Sequence, residues 1–319
     1  MGNKSSSMTS TAATIKVAKG QHKSNAGNGV SFAAKSIKVL TYNVWFDSFA
    51  FSSRMQFIID KTLELQPDVC CFQEVLPAFV TRLQNHPKLN EIYVMSPFAI
   101  SGYGTMTLAR RELSPRFYSI EFPTRMGRSL LKTVCVVNGV DIAIGNVHLE
   151  SMASEQLRRQ QLTICQKFLK KYTSAILVGD FNFCSERNFH THNSAKTPLE
   201  NDVLQQVMPS YVDVWPFLHD MSPEGERDLG YTFDSEVNHM ISHPERMRYD
   251  RVMARCGAGR QGGGRGGASG ESEVMVPSEI VRLGVQPLDA SSSMSQTQAQ
   301  PQVWPSDHFG LLATFRIKV

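Results

Sequence analysis

The chain has 319 residues, 41% of them hydrophobic and 19% charged, with a formal charge of +4. That length holds a sizeable core in one large or two small domains, and the mild positive balance permits an anionic partner without demanding one. No apolar run approaches the ~20 residues of a membrane-spanning helix, and no compact apolar segment near the N-terminus marks a secretory signal.

Residues 1–35 are rich in Ser, Thr, Ala, Gly and Lys, carry no acidic residue and show no periodicity, which predicts a disordered tail. The tail opens with MGNKSS, placing Gly2 after the initiator Met and Ser6 where an N-myristoylation signal requires it. One acyl chain binds membranes weakly, and Lys4, Lys16, Lys19 and Lys23 would add attraction to acidic lipid. The same letters also arise by chance in a Ser-rich tail.

From residue 36 the pattern alternates between strand and helix. IKVL (37–40) predicts a buried strand with the polar exit TYN. Met55, Ile59 and Leu63, with Ile58 beside them, predict a helix over 53–66 that Pro67 closes. DVCCFQEV (68–75) reads as a second strand ending in Gln73 and Glu74. MTLAR (106–110), KTVCVV (132–137) and DIAIGNVHLE (141–150) follow, the last two joined by the tight-turn pair Asn138-Gly139. A helix over 154–172 is expected to face the core with Leu157, Ile164, Phe168 and Tyr172. The strand Ala175–Val178 ends in Gly179, and HFGLLATFRIKV supplies a closing strand. The segments 257–273, Gly-rich, and 291–302, polar and of low complexity, read as flexible insertions within one α/β domain, 36–319. The first has an RGG-like texture that can bind RNA, but between two strand candidates a loop insertion is the better reading.

Six dispersed cysteines without C-x-x-C spacing argue against a zinc site or a disulfide framework and fit a reducing compartment. The chemistry lies at the strand exits. Asn43 follows IKVLTY, Glu74 follows VCCFQ, and His148 and Ser151 follow IAIGNV. Asp180 and Asn182 follow AILVG, Asp250 lies in MRYDRV, and Asp307 and His308 open the last strand. Residues two apart in an extended chain point the same way, so Asp180 and Asn182 are expected to emerge together, although Asp, Asn and Gly are also ordinary turn residues. If the strands stack in two packed sheets, these ends converge. Hard oxygen donors, amides and imidazoles without a thiolate suit Mg²⁺ or Mn²⁺ and phosphate hydrolysis.

The ordered segments TYNVWF, FQEV, HLES, GDFN, GYTFD, RYDRV and PSDHFGLL resemble the endonuclease/exonuclease/phosphatase superfamily of metal-dependent phosphodiesterases. HLES, DVWPFL before GYTFD, and PSDHFGLL narrow the resemblance to its 5′-tyrosyl-DNA phosphodiesterase branch, which removes the tyrosine that a trapped topoisomerase II leaves on a DNA 5′ end. The resemblance implies a four-layer α/β/β/α sandwich of two packed mixed sheets flanked by helices. It implies Glu74 as the principal Mg²⁺ ligand, supported by Asn43 and Asp307, and Asp180 as the base that activates water, with Asn182 orienting that water or the phosphate. His148 and His308 would contact non-bridging oxygens, Ser151 would add a hydrogen bond, and Asp250 would fix the His308 tautomer. Some relatives carry Trp where this chain has Tyr42 and Phe233; both positions stay aromatic and would keep a stacking wall. Tyr103, Arg125, Arg128 and Phe233 are the expected substrate contacts, whereas His190, His192, His239 and His243 match no motif and read as solvated loop residues.

The implied activity is hydrolysis of a 5′-phosphotyrosyl bond in DNA or RNA by a monomer in the nucleus or cytoplasm, with a membrane-anchored pool if Gly2 is acylated. An alternative keeps the chemistry and changes the substrate to a lipid or inositol phosphate, since loops rather than the metal cluster set specificity. A non-catalytic binding module is disfavoured because every expected catalytic position holds a competent residue.

Overall fold

In a computed structural model of the chain, residues 14–19, 34–183, 200–219, 228–256, 275–288 and 302–317 are described. Gly2, His190, His192, the insertion 257–273 and nearly all of 291–302 lie outside them. In chain order the elements are β1 (Ile15–Lys19), β2 (Ser36–Asn43), α1 (Phe51–Leu65), β3 (Val69–Val75), α2 (Pro77–Gln84), α3 (Pro87–Ile92), β4 (Tyr93–Met95) and β5 (Gly104–Arg110). After them come β6 (Arg116–Glu121), β7 (Ser129–Val137), β8 (Val140–His148), α4 (Glu155–Leu169), β9 (Ser174–Asp180), α5 (Glu200–Val207), β10 (Val212–Asp213) and α6 (Val214–Leu218). The last are β11 (Phe233–Asp234), β12 (Arg246–Met247), β13 (Asp250–Cys256), β14 (Met275–Leu283) and β15 (Gly310–Ile317).

Two mixed sheets result, in the orders β1-β6-β7-β8-β9-β13-β10 and β14-β15-β2-β3-β5-β4, with β11 and β12 as a separate ribbon. Alternation along each strand decides which side chains meet between the sheets. Val39, Cys71, Ile144, Ile176, Val178 and Val252 share the inter-sheet core, while their neighbours Leu40, Cys70, Ala143, Ala175, Leu177 and Met253 face outward. Each aliphatic side chain fully buried there contributes about 1.5–3 kcal/mol. The outward faces are covered by α1, α2 and α3 on one sheet and by α4 and α5 on the other, which gives the α/β/β/α sandwich the motifs imply.

Local chemistry explains the element ends. Asn138 and Gly139, at φ 50° and 78°, make the two-residue hairpin turn between β7 and β8. Helix α1 stops at Gln66 in the left-handed region, immediately before Pro67, and buries Met55, Ile58 and Ile59, with Leu63 only partly covered.

Two expectations differ from the structure. Ile15–Lys19, inside the segment expected to lack order, adds an antiparallel strand to the open edge of β6. Ile15 and Val17 remain exposed, so backbone pairing rather than side-chain burial holds it, and hydrophobic periodicity carried no trace of it. Helix α4 turns a different face to the core: Arg158, Gln161, Leu162, Cys165 and Leu169 are buried, and Ile164, Phe168 and Tyr172 only flank them. The face is displaced because it includes two buried polar residues. Arg158 pairs with Glu200 at 2.8 Å and donates to the carbonyls of Glu150 and Met152, and Gln161 bonds Glu150.

Candidate metal and phosphoryl-transfer site

The inter-sheet layer ends in polar residues on the same strand faces that carry the core. Val39-Thr41-Asn43 on β2, Ile144-Asn146-His148 on β8, Ile176-Val178-Asp180 on β9 and Asp250-Val252-Ala254 on β13 each keep one parity. Register completes the convergence. His148 lies opposite Asp180 across the parallel β8–β9 pair, and Asp180 lies opposite Asp250 across the antiparallel β9–β13 pair. Gly179 permits the first of these pairings. Its φ is +134°, and a Cβ there would stand 1.8 Å from the Val147 carbonyl oxygen, so only glycine lets β9 run this close to β8.

Glu74 reaches the same place by another route. Even spacing would send it to the outer face with Cys70 and Phe72. The β3–β5 register instead slips between Phe72 and Val75, and Glu74 adopts φ 58°. This bulge turns the carboxylate inward. Asn146 anchors the bulge from the opposite sheet by donating to the Phe72 and Met106 carbonyls while accepting from Gln73. Trp45, Glu74 and Asn182, around the site, all sit in the left-handed region at about 1–2 kcal/mol each.

The assembled geometry is tight. Glu74, His148 and Asp180 each offer a donor atom within 4.8 Å of the others. His148 Nε2 is 3.4 Å from Asp180 Oδ2 and 3.8 Å from Glu74 Oε1. Asn43 donates to Asp180 Oδ2 at 3.1 Å, the Asn182 backbone N–H donates to Asp180 Oδ1 at 2.8 Å, and the Phe46 backbone N–H donates to Glu74 at 3.1 Å. His308 Nδ1 lies 2.7 Å from Asp250 Oδ2, and Phe233 meets the His308 ring edge-on at 5.1 Å.

Electrostatics separate these groups. Burial, and then the neighbouring Asp307 carboxylate, push the Glu74 carboxyl up to about 7. Burial acts on Asp180 in the same direction, but His148, His308 and the hydrogen bonds from Asn182 and Asn43 outweigh it and hold this carboxyl below its ordinary range. Burial, opposed by Asp180 and aided by Arg128, pushes His148 down to about 3. For His308 burial also disfavours charge, yet the Asp250 carboxylate overrides it and raises the imidazole well above its usual value.

Several expected residues sit differently from their anticipated roles. Arg128 is buried, not surface-directed, with Nη1 2.8 Å from His148 Nδ1 and its guanidinium 5.2 Å from the Tyr103 ring centroid. Tyr103 stacks on Phe46 at 4.7 Å and shares a cavity of about 310 Å³ with Phe98, Ile100, Leu131 and His148. Arg125 is exposed, only its backbone N–H being engaged, by Glu150. Asn182 leaves the extended conformation, so it does not share a direction with Asp180 by alternation; its amide donates to the Leu149 carbonyl. The Ser151 hydroxyl meets the Met126 sulfur rather than a member of the cluster. Tyr42 is buried, with Gly310 and Gly284 so close that a Cβ on either would strike its ring or hydroxyl, and it offers no stacking wall; Phe233 retains that position. Asp307 is half-buried in the electrostatic reach of Glu74 and Arg54. His239 and His243 are exposed, as expected of loop residues.

Three supporting residues escaped sequence reasoning. Arg54, fully buried, donates to the Trp45 and Asp47 carbonyls and so shapes the loop that presents the Phe46 N–H. Glu150 accepts from Thr124, Arg125 and Gln161, which clamps the loop carrying Arg128 against the end of β8. Phe46 acts through its backbone, which no side-chain motif can signal. For Glu150 a signal existed: an acid next to the HL pair of HLES that faces the helix rather than the cleft.

Comparison with known proteins places this geometry. Over residues 40–308 the sequence matches the Endonuclease/Exonuclease/phosphatase family. No curated protein matches it in sequence. Among solved structures, D. rerio TDP2 complexed with single-strand DNA product is similar with a TM-score of 0.67 at 22% identity, covering 89% of this chain and all of that one. Truncated Caenorhabditis elegans TDP2 gives 0.61 at 19% identity, covering 88% and 97%. The human Nocturnin catalytic domain with bound sulfate gives 0.57 at 16% identity, covering 91% and 97%. At these identities the likeness is one of fold. The sequence match runs from the middle of β2 to the imidazole that bonds Asp250, taking in every strand end described above and leaving out β1 and β15, and the chain belongs to the endonuclease/exonuclease/phosphatase family.

Proposed function

We propose that this chain is a divalent-metal phosphodiesterase that hydrolyses the 5′-phosphotyrosyl bond of a DNA adduct. The observation that carries the catalytic part is the convergence of Asn43, Glu74, His148, Asp180, Asp250 and His308 at one end of the inter-sheet layer. The residues fit a hard cation: no thiolate takes part, Glu74 and Asp180 offer oxygens within 4.8 Å of each other, and burial, then Asp307, raise Glu74, an unfavourable negative charge that a cation would relieve. Glu74 would hold the cation, supported by Asp307 and Asn43, and a bound Mg²⁺ or Mn²⁺ would polarise a phosphoryl oxygen and offset charge on the leaving group.

The protein groups divide the remaining work. Asp180, ionised at neutral pH and fixed by Asn43 and Asn182, takes the proton of the attacking water. His308, held as an imidazolium by Asp250, and His148 donate to the non-bridging oxygens as charge builds on them. A tyrosyl phenol has a pKa of ~10, so the phenolate leaves without a strong general acid, which matches a site whose depressed carboxylate serves as base.

The substrate assignment rests on the segments HLES, DVWPFL–GYTFD and PSDHFGLL, and D. rerio TDP2, a structural neighbour, is described with single-strand DNA product. One observation favours a lipid or inositol phosphate instead. Phe46, Phe49, Met126 and Met152, on loops at the strand ends that form the site, are exposed apolar side chains. A panel of 5′-phosphotyrosyl oligonucleotide, abasic DNA and phosphoinositide, each with Mg²⁺, separates these readings. Tyrosine release from the first, falling by about 10²–10⁴-fold in Asp180→Asn, is expected. Turnover confined to phosphoinositide would transfer the assignment to lipid, and undiminished turnover in Asp180→Asn would remove the base from its role.

A further inference from the structure

His148 has two ring nitrogens, and their partners differ in kind. Nε2 faces the carboxylates of Asp180 and Glu74, at 3.4 and 3.8 Å, and Nδ1 faces Arg128 Nη1 at 2.8 Å. A guanidinium carries only donors and does not deprotonate in a protein. A contact of 2.8 Å between Arg128 and a protonated Nδ1 would set two donors against each other. Nδ1 must therefore be the acceptor, and in the neutral ring the proton must sit on Nε2.

We propose that Arg128 is a positioning residue that locks His148 in the Nε2–H tautomer, making it an obligate hydrogen-bond donor toward the cleft. Two consequences follow. A nitrogen that carries a proton has no lone pair to offer, so His148 is neither a metal ligand nor a base, and metal donation falls to the carboxylates. The donor also points at the space between Asp180 and Glu74, where a phosphoryl oxygen would stand. Only this last statement rests on the phosphodiesterase reading.

Arg128 is itself held in place. Its guanidinium lies over the Tyr103 ring at 5.2 Å, Tyr103 stacks on Phe46 at 4.7 Å, and the Phe46 backbone N–H reaches Glu74 Oε2 at 3.1 Å. A continuous stack thus joins the imidazole of one sheet to the carboxylate of the other. From behind, Glu150 holds Thr124 and the Arg125 N–H, and the Thr124 hydroxyl accepts the Arg128 N–H at 3.1 Å, which fixes the loop from which the guanidinium projects. Attraction between a cation and an aromatic face strengthens where water is excluded, as it is around a side chain this buried.

Long-range ¹H–¹⁵N correlation spectra of the imidazole-labelled protein, with and without Mg²⁺, test the proposal. The wild type is expected to show a pyridine-type Nδ1 and a pyrrole-type Nε2 for His148 in both conditions. A protonated Nδ1 overturns the proposal, whatever the activity. In Arg128→Met a protonated Nδ1 is expected to appear, in the other tautomer or in an imidazolium facing Asp180 and Glu74, with kcat lower by about 10–100-fold and KM little changed. Added guanidinium should restore both spectrum and rate. Persistence of the wild-type tautomer in Arg128→Met also overturns it. Should that variant not fold, Arg128→Lys, which keeps a donor and a charge, takes its place and is expected to retain the tautomer; its loss there would contradict the proposal. A protein that hydrolyses none of the substrates tested still reports its tautomer, so failure of the functional reading is distinguishable from failure of this one.

Discussion

Two corners of the site each present an imidazole, and they hold it in opposite electrical states. At the end of β8, His148 has an arginine behind it; burial first, and then this guanidinium, push the imidazole down to about 3 and keep it neutral. Just ahead of β15, His308 has the Asp250 carboxylate behind it and is held charged well above the ordinary histidine range. Both rings are buried within electrostatic reach of Asp180, so burial alone cannot separate them. The group on the far nitrogen does, because a donor there forces a neutral ring and an anion there retains the proton. One corner supplies a directional N–H and the other supplies positive charge, and an anionic transition state draws on both.

The comparison is broken most severely at Asp250. Asp250→Asn removes the anion from the second corner and makes it electrically like the first. Turnover is expected to fall about 10²–10³-fold, the scale of losing one preorganised donor to developing charge. Stability is expected to fall by about 3 kcal/mol at neutral pH, since one member of a buried charge pair is left without its partner. Steady-state kinetics and urea melts measure the two, and wild-type turnover in a folded variant would mean that the His308 charge does not matter.

A substitution at Gly179 disturbs the other corner alone. The Cβ of Gly179→Ala would meet the Val147 carbonyl oxygen, so β8 must shift from β9 and carry His148 away from Asp180, while β13 and His308 keep their register. The expected loss is about 100-fold in turnover, the scale of a displacement near 1 Å, together with roughly 2–4 kcal/mol of stability. An unchanged melting temperature would show that the two strands do not need the close approach.

Much of the site was legible because period-two alternation is a rule that a sequence obeys visibly. Asn43, His148, Asp180 and Asp250 lie on the parity of the core residues preceding or following them, so their convergence follows once two sheets pack. Glu74 violates that parity; the motif FQEV marks the residue, but the bulge that turns it inward depends on a register slip against β5 and on Asn146 from the opposite sheet. Asn182 fails for the opposite reason, since the strand ends at Asp180 and the turn chemistry of Asp and Asn prevails over alternation. Arg128 reads as a surface arginine in a loop and is buried because the imidazole, the Tyr103 ring and the Met126 sulfur surround it, all from distant parts of the chain or from its own turn. The face of α4 was displaced by Arg158 and Gln161, polar residues that hydrophobic periodicity counts as solvent-facing. The β1 strand left no signal because an edge strand held by backbone bonds needs no apolar pattern.

The claim that these side chains form one cation-dependent centre is tested most directly by calorimetric titration of Mg²⁺ into the wild type and Glu74→Gln between pH 5.5 and 8.5, values chosen to bracket ~7. Burial and Asp307 raise Glu74 to about 7, so protons compete for this carboxylate below that pH and are displaced by metal. One site per chain is predicted, with affinity nearly constant above pH 7, falling about tenfold per pH unit below it, and lost in Glu74→Gln. Affinity that ignores pH, or a Glu74→Gln chain that binds Mg²⁺ as the wild type does, would contradict the account.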